Sequence, residues 1–293
     1  MLMDVPQAPS SGFTSLPGNV GGMRNSGIDV TLNYDIYASR DWFVNFRATF
    51  NYNKNKLTKL WPGAGDEVPY GDFMYFVKGE AFPTYYVQEW RGVNPETGEP
   101  QWTGADGEVT SEFSEAVPVN LHKSFVAPYT GGFGVTAQWK GIALTVDFAW
   151  VAGNYMVNNN LFFAANSENA LSGLNQVTEV LDYWKPDDRY GKKYPSLEYS
   201  AQAGGGTQFD SRMLEDASFL RLKNIQLGVT LPKKWTETVF ISNLRFYVAA
   251  ENLLTLTGYK GMEPEIYSGT QSGIDRGFYP QNRTITVGAN VTF

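Results

Sequence analysis

The chain has 293 residues, of which 18% are charged and 15% aromatic, and its formal net charge is −7. Disordered chains are poor in aromatic residues, so this composition excludes disorder. The acidic balance and the lack of a basic run argue against a nucleic-acid partner. Cysteine is absent and His122 is the single histidine, which excludes disulfide scaffolds and thiolate metal sites. No cofactor is predicted.

We expect neither a secretory leader nor a membrane helix. The first six residues have no basic segment followed by an apolar one, as a signal peptide would. A membrane helix needs roughly 20 predominantly apolar residues, and no segment supplies them. If this chain meets a bilayer, it must do so as strands.

Apolar and polar residues alternate with a period of two along much of the chain, which is typical of strands with one apolar face. The pattern predicts seven strands, over residues 28–36, 44–52, 133–139, 142–150, 219–230, 244–252 and 285–293. Strands of about nine residues suffice to cross a bilayer at a tilt. An eighth strand is predicted to end near Met1–Val5.

The connections between these strands differ greatly in length. Links 39–41, 140–141 and 231–242 are short or modest, whereas 55–131, 153–218 and 253–283 are long. If consecutive strands are antiparallel neighbours, every short link falls on one side of the sheet and every long one on the other. Outer-membrane barrels have this asymmetry, with periplasmic turns and longer extracellular loops. The first long loop holds a hairpin-like piece, residues 85–93 and 100–103.

The alternation also predicts which face each side chain occupies in such a barrel. The residues expected to face lipid are Ile28, Val30, Leu32, Phe46, Phe50, Val146, Phe148, Val287 and Val291. The residues expected to face the lumen are Asp29, Asn33, Arg47, Asp147 and Asn290. A soluble β-sandwich alternates too, but aromatic residues near the strand ends match the girdles of a barrel. These are Trp42, Tyr52, Trp139 and Trp150.

Several short motifs follow one another along the chain: Arg24–Asp29, Asn51–Lys56, Gly92–Gly98, Ser218–Gly228, Asn252–Gly261, Pro264–Glu265 and Gly273–Asp275. Together they resemble the C-terminal portion of SusC/RagA-type TonB-dependent outer-membrane transporters of Bacteroidetes. Ser218–Gly228, for example, is close to that family's A-S-[FY]-L-R-L-[KR]-N-I-x-L-G-Y. Met262-Glu263 departs mildly from the family, which commonly has an aromatic residue and Asp there.

The resemblance implies an all-β fold: an antiparallel transmembrane β-barrel segment with long extracellular loops. It would comprise about the last seven or eight strands of a barrel of about 22. We expect residues 1–293 to be one unit of such a receptor, without its plug and N-terminal domains. The implied location is the bacterial outer membrane. The implied function is TonB-dependent import of a glycan or a peptide, and no enzymatic activity is predicted.

The implied partners are a SusD-like surface lipoprotein, TonB acting through the missing N-terminal region, the barrel-assembly machinery and outer-membrane lipid. Loop aromatics are the candidates for substrate contact, since rings stack on sugars: Trp90, Trp102 and Trp184. Packing within the loops is the alternative for each. Val291 and Phe293 end the last strand with an aromatic residue, which resembles the C-terminal assembly signal of outer-membrane proteins.

A secreted carbohydrate-binding β-sandwich is the alternative function, favoured by the aromatic content. A hydrolase finds less support, because the sequence shows no poised acid and base pair. The substrate is not specified by the sequence, since in a transporter the loops, the plug and the other strands all contribute to specificity.

Overall fold

A computed structural model describes residues 2–19, 21–165, 173–198, 208–266 and 273–293. The fold is mainly antiparallel β-structure. The α-helices and 3-10 helices in the described residues are short: Pro9–Ser11, Phe113–Glu115, Asn159–Ala164, Thr178–Leu181, Ser211–Met213, Lys233–Thr236 and Glu237–Val239. Among the residues in these ranges, none forms a helix long and apolar enough to cross a membrane.

Seven long strands form one sheet, here called the main sheet. They are β1 (Gly22–Ala38), β2 (Trp42–Lys59), β3 (Tyr129–Trp139), β4 (Ile142–Ala152), β5 (Phe219–Thr230), β6 (Asn243–Thr257) and β7 (Thr284–Thr292). Each strand pairs antiparallel with the next one along the chain, so the order in space is the order in sequence. All seven predicted strands and their order are confirmed.

The short and long connections lie at opposite ends of the main sheet, as predicted. Links 39–41, 140–141 and 231–242 form the turn side. The long connections form the loop side and are called loop A (60–128), loop B (153–218) and loop C (258–283).

The register brings residues of the seven strands into rows that are alternately apolar and polar. One row consists of Tyr34, Phe46, Val135, Val146, Ile225, Ala250 and Ile285. The next row consists of Asn33, Arg47, Gly134, Asp147, Asn224, Glu251 and Thr284. Because neighbouring rows point to opposite faces, the main sheet has one apolar and one polar face.

Side chains on the polar face bond to one another across strands. The Arg47 guanidinium lies 2.6 Å from the Asp147 carboxylate, to which the Asn224 amide also donates at 3.2 Å. The Asn45 amide donates to both Asn33 and Asp35. The predicted division of the side chains between two faces is therefore confirmed.

The apolar face is exposed. Ile285 and Val287 in β7 retain 70% and 76% of their accessible surface, and Ile28, Val30 and Leu32 in β1 retain about half or more. A β-sandwich buries such a face against a second sheet. The alternative of a sandwich is therefore wrong for this chain.

Stacked aromatic pairs mark both ends of the apolar face. Trp42 and Trp139 stack with ring centroids 5.6 Å apart at the turn side, and Tyr52 and Tyr129 stack at 5.2 Å toward the loop side. Ten residues from Trp42 to Tyr52 correspond to about 33 Å of strand, or about 25 Å of height at a barrel-like tilt of about 40°. This height equals the apolar band of a transmembrane barrel, which is about 25 Å tall.

The alternation predicted the bounds of β5 correctly, but it underestimated how far toward the loops five other strands extend, namely β1, β2, β3, β4 and β6. Beyond Tyr52, β2 continues to Lys59 and stays paired with the beginning of β1. These residues lie outside the apolar band, where no face needs to be continuously apolar, so the period of two is lost. The sequence pattern therefore underestimates the strands on this side.

The eighth strand predicted near Met1–Val5 is not part of the main sheet. Met1 lies outside the described residues, and Leu2–Pro6 pairs with Ser15–Asn19 in a two-stranded sheet of its own. The chain folds back within a few residues, so the backbone groups of this strand find their partners locally.

The loops carry further short strands: Glu67–Tyr70, Met74–Val77, Thr84–Gln88, Trp90–Val93, Pro100–Thr103, Val109–Thr110, Pro118–Asn120, Tyr155–Asn158, Leu214–Asp216 and Ile274–Asp275. The predicted hairpin-like piece is confirmed, since Trp90–Val93 pairs with Pro100–Thr103.

Candidate functional site

The three long loops interlock at the loop side of the main sheet. The Tyr85 hydroxyl of loop A lies 2.7 Å from the carbonyl oxygen of Gly273 in loop C and 3.1 Å from that of Tyr155 in loop B. Tyr85 is fully buried, and its burial raises the pKa of the phenol far above the ordinary value. One neutral hydroxyl therefore joins all three loops.

A small mixed sheet and a shared core reinforce this junction. Tyr155–Asn158 pairs antiparallel with Leu214–Asp216 and parallel with Ile274–Asp275. The buried core between them consists of Met74, Tyr85, Val157, Leu214 and Ile274, drawn from all three loops. The loops thus form one packed body, here called the loop assembly.

The Asn252–Gly261 motif supplies another contact of loop C. The Tyr259 hydroxyl donates to the Asp275 carboxylate at 2.7 Å. Burial, together with this bond, raises the pKa of Tyr259 far above its usual range. The ring also lies over Gly261, where a Cβ atom would be only 2.3 Å from it. The tyrosine and glycine of the motif therefore fix the course of loop C.

Trp102 lies in the interior of the loop assembly. Its ring is fully buried, and its indole N–H donates to the Asp210 carboxylate of loop B at 2.9 Å. The same carboxylate receives the guanidinium of Arg212, at 2.7 Å from Nη2. This geometry gives Trp102 a packing role and leaves no face of its ring open to solvent, while its contact with a substrate stays a prediction.

Trp90 is half-buried beside this cluster. Its ring meets Trp102 edge to face at 5.7 Å, and the Arg212 guanidinium covers it at 3.8 Å from the ring centroid. One side of the Trp90 ring is therefore already occupied by a cation.

Trp184 joins loop B to the hairpin of loop A. Its indole N–H donates to the carbonyl oxygen of Pro95 at 2.9 Å. Its ring packs on Gly98, whose φ of +77° places it in the left-handed region. The ring is half-buried and belongs, like Trp90, to the wall of the loop assembly.

A cavity of about 490 Å³ lies between loops B and C. Its wall combines Leu161, Val177 and Met262 with the charged pair Glu179 and Lys260. Such a cavity suits a ligand with an apolar group beside a polar one.

Charges converge on Glu179 at the edge of this cavity. Lys193 and Lys260 both pair with its carboxylate. Burial raises the pKa of Glu179, but the two ammonium groups outweigh it and lower the pKa below the ordinary value. Burial lowers the pKa of Lys193, and this effect is larger than the increase caused by its bond to Glu179. Sequence reasoning missed this cluster, because its members are isolated charges in separate loop segments.

The described residues show no arrangement of three or more histidine and carboxylate groups that could hold a metal ion. His122 lies in loop A with its Nδ1 at 2.6 Å from the Glu80 carboxylate, and its ring is largely exposed. The candidate site is the loop assembly with the cavity between loops B and C.

The two residues of the predicted assembly signal lie at the end of β7. Val291 pairs with Leu244 of β6 and lies on the apolar face. Phe293 follows the last strand residue and is 87% exposed.

Known proteins match the chain along its whole length. No family model matches it. The TonB-dependent receptor P3 of Formosa agariphila is 27% identical over 322 residues, covering 100% of this chain and 31% of the receptor. The TonB-dependent receptor SusC of Bacteroides thetaiotaomicron is 24% identical over 290 residues, covering 94% of this chain and 27% of SusC.

A solved structure agrees with these relatives. The RagAB peptide transporter superposes with a TM-score of 0.87 and 36% sequence identity, covering 100% of this chain and 32% of the matched chain. The chain therefore spans about a third of the length of the proteins it matches. Its resemblance to SusC/RagA-type TonB-dependent receptors is confirmed over all 293 residues.

Proposed function

We propose that this chain forms part of the barrel wall and the extracellular loops of a TonB-dependent nutrient importer in the bacterial outer membrane. The observation that carries the proposal is the alternation of apolar and polar rows across all seven strands. The apolar face contacts lipid and the polar face lines the lumen. The turn side then lies in the periplasm and the loop assembly outside the cell.

The position of the charges supports this orientation. Lipid cannot solvate a charge, and an arginine on the lipid face at mid-depth costs about 2–4 kcal/mol. Arg47 and Asp147 lie on the polar face, where they also pair with each other.

The loop assembly is the proposed binding surface for a SusD-like lipoprotein. Loop B presents apolar side chains to solvent, among them Leu181 at 70% and Tyr190 at 75% exposure. Contiguous exposed apolar patches mark protein interfaces, and these side chains are the proposed members of such a patch. TonB would act on parts of the receptor outside these residues. Val291 and Phe293 are the proposed contact for the barrel-assembly machinery.

The proposed substrate is a glycan or a peptide. Similarity to the RagAB peptide transporter is a reason to test peptides first. Trp90 and Trp184 are the proposed contacts at the wall of the loop assembly, whereas the buried Trp102 packs behind Trp90 and would contribute to stability. Comparing uptake of labelled oligopeptides and oligosaccharides by cells with and without the gene decides between the two classes. Uptake of neither class would contradict the import function.

A charge on one face or the other tests the membrane orientation. We expect Val287→Arg, on the apolar face of β7, to reduce the amount of folded receptor in the outer membrane. Thr286→Arg is the matched control, because the neighbouring residue lies on the polar face of the same strand. Folded receptor is measured by heat-modifiable migration on gels. Equal losses in the two variants would contradict the proposed orientation.

A further inference from the structure

The connection between β5 and β6, residues 231–242, is a built element of the turn side. It contains the short helix Lys233–Thr236 followed by the 3-10 turn Glu237–Val239. The amide of Leu231 donates to the carbonyl of Leu244 at 2.9 Å, and the amide of Ser242 donates to the carbonyl of Thr292 at 2.8 Å. Both ends of the connection are thus tied to the main sheet.

This connection exposes two large aromatic side chains. Trp235 is 62% exposed and Phe240 is 88% exposed. Phe240 also has a φ of +59°, in the left-handed region that bulky residues rarely adopt. Because the Phe240 side chain is exposed, no hydrophobic burial offsets the cost of this strained backbone conformation. Such strain is a sign of a functional contact.

The connection lies at the turn end of the main sheet. It follows directly on the row at the turn end of the apolar face, in which Val229 pairs with Phe246 and Trp42 pairs with Trp139. Trp235 and Phe240 therefore follow the turn end of the apolar band along the chain.

The charges beside these rings are mainly positive. Lys233 and Lys234 directly precede Trp235, and Glu237 is the one acidic residue of the connection. The three turn-side links contain four basic and two acidic residues in total. One residue of each sign, Lys140 and Asp41, form an ion pair in which the ammonium lies 3.6 Å from the carboxylate. The whole chain, by contrast, has a net charge of −7.

We propose that residues 231–242 anchor the protein in the headgroup region of the periplasmic leaflet. Trp235 and Phe240 insert at the boundary with the acyl chains, and Lys233 and Lys234 bind the phosphates of anionic phospholipids. The amphipathic ring of a tryptophan is favoured at membrane interfaces, and lysines near the surface are attracted to anionic lipids. The inference rests on the proposed function, because it requires the apolar face to contact lipid.

Single cysteine labels test the anchor: these 293 residues contain no cysteine, and any cysteine elsewhere in the receptor is first replaced by serine. The intact receptor is labelled with a fluorophore at Phe240→Cys and reconstituted into vesicles of phosphatidylethanolamine and phosphatidylglycerol. We expect nitroxide lipids to quench this label severalfold more than water-soluble iodide does. Tyr279→Cys is the matched control, because Tyr279 is an equally exposed aromatic residue in loop C. There we expect iodide to be the stronger quencher.

Two further arms separate the causes of failure. A label at Val287→Cys on the apolar face reports whether that face meets lipid at all. If nitroxide lipids quench position 287 but position 240 behaves like 279, the anchor is refuted while the proposed function stands, and a periplasmic protein becomes the partner of this connection. If position 287 is not quenched, both proposals fail.

The lysines have their own readout in the same receptor. We expect quenching at position 240 to increase when phosphatidylglycerol replaces phosphatidylcholine. Lys233→Gln together with Lys234→Gln should abolish this increase. An increase that survives the double substitution would refute the role of the two lysines in binding phosphates.

Discussion

Arg221 in β5 and Glu263 in loop C form an ion pair that is almost completely shielded from solvent, with 2% and 5% of their side-chain surfaces exposed. Arg221 also donates to Glu265 at 2.8 Å and to the Thr255 hydroxyl at 2.9 Å. The Ser218–Gly228 motif and the Pro264–Glu265 motif are therefore partners in one contact. This contact fixes loop C to the polar face of the main sheet.

Replacing Arg221 should destabilise the protein strongly. Arg221→Met leaves the Glu263 carboxylate buried without its cation, and breaking a buried pair on one side costs about 3–5 kcal/mol. Urea unfolding of the receptor in detergent micelles measures this loss. Lys223→Met is the control, since Lys223 binds Glu265 at a partly exposed position. A partly exposed pair contributes about 1 kcal/mol or less. Equal effects of the two substitutions would contradict the structural role of Arg221.

Acid should weaken the same contact. Burial raises the pKa of Glu263, but the amides of Gln281 and Glu265 and the Arg221 guanidinium outweigh it, so the pKa is lowered below the ordinary value of 4.5. The stabilisation is therefore complete above pH 4.5 and is lost as the pH falls through the folded-state pKa.

Unfolding free energies at a series of pH values from 7 to 3 check this sign. We expect Glu263→Gln to be less stable than the parent at neutral pH and to lose less stability in acid. Parallel curves for the two proteins would contradict the contribution of Glu263.

Trp102 should matter for stability rather than for substrate affinity. Trp102→Phe removes the donor to Asp210 and leaves the buried carboxylate one bond short, which costs about 1–3 kcal/mol. At temperatures where the variant is folded, we expect an unchanged KM for uptake. A raised KM together with unchanged stability would instead identify Trp102 as a substrate contact.

Gly98 should be required for the packing of the Trp184 ring. A Cβ atom at position 98 would be 2.6 Å from the Trp184 ring. We expect Gly98→Ala to loosen the hairpin formed by Trp90–Val93 and Pro100–Thr103 and to make it more sensitive to limited proteolysis.

Gly107→Ala is the matched control for this substitution. Gly107 has a φ of +83°, close to the +77° of Gly98, and nothing lies within 4 Å of its Cβ position. Both substitutions therefore carry a similar cost in backbone strain, and the difference between the two variants measures the effect of the clash with Trp184. Equal proteolysis of both variants would contradict this prediction, because it would mean that the Trp184 ring can move to accommodate the added methyl group without loosening the hairpin.

The main sheet could be predicted from the sequence because a strand with one apolar and one polar face has alternating apolar and polar residues. The alternation around Val287 and Asn290 is enough to assign each of them to a face of the sheet. The long and short links then determine which strand ends lie together. The same reasoning failed for Leu2–Pro6, since a strand pattern does not specify its partner.

The loop assembly could not be predicted in the same way. Tyr85 and Gly273 are 188 residues apart, and neither carries a local pattern that points to the other. The sequence singled out Trp102 as an aromatic loop residue, but its burial depends on Asp210, which lies in a different loop. Side chains of this kind acquire their roles from contacts that only the folded chain reveals.

The most direct test of the account is the lipid exposure of β7, residue by residue. Single cysteines at positions 284–292 of the intact receptor are labelled in vesicles and quenched with nitroxide lipids. The account predicts strong quenching at 285, 287, 289 and 291, and weak quenching at the residues between them. A profile without alternation, or one with its maxima at the residues between, would contradict the assignment of the apolar face to lipid.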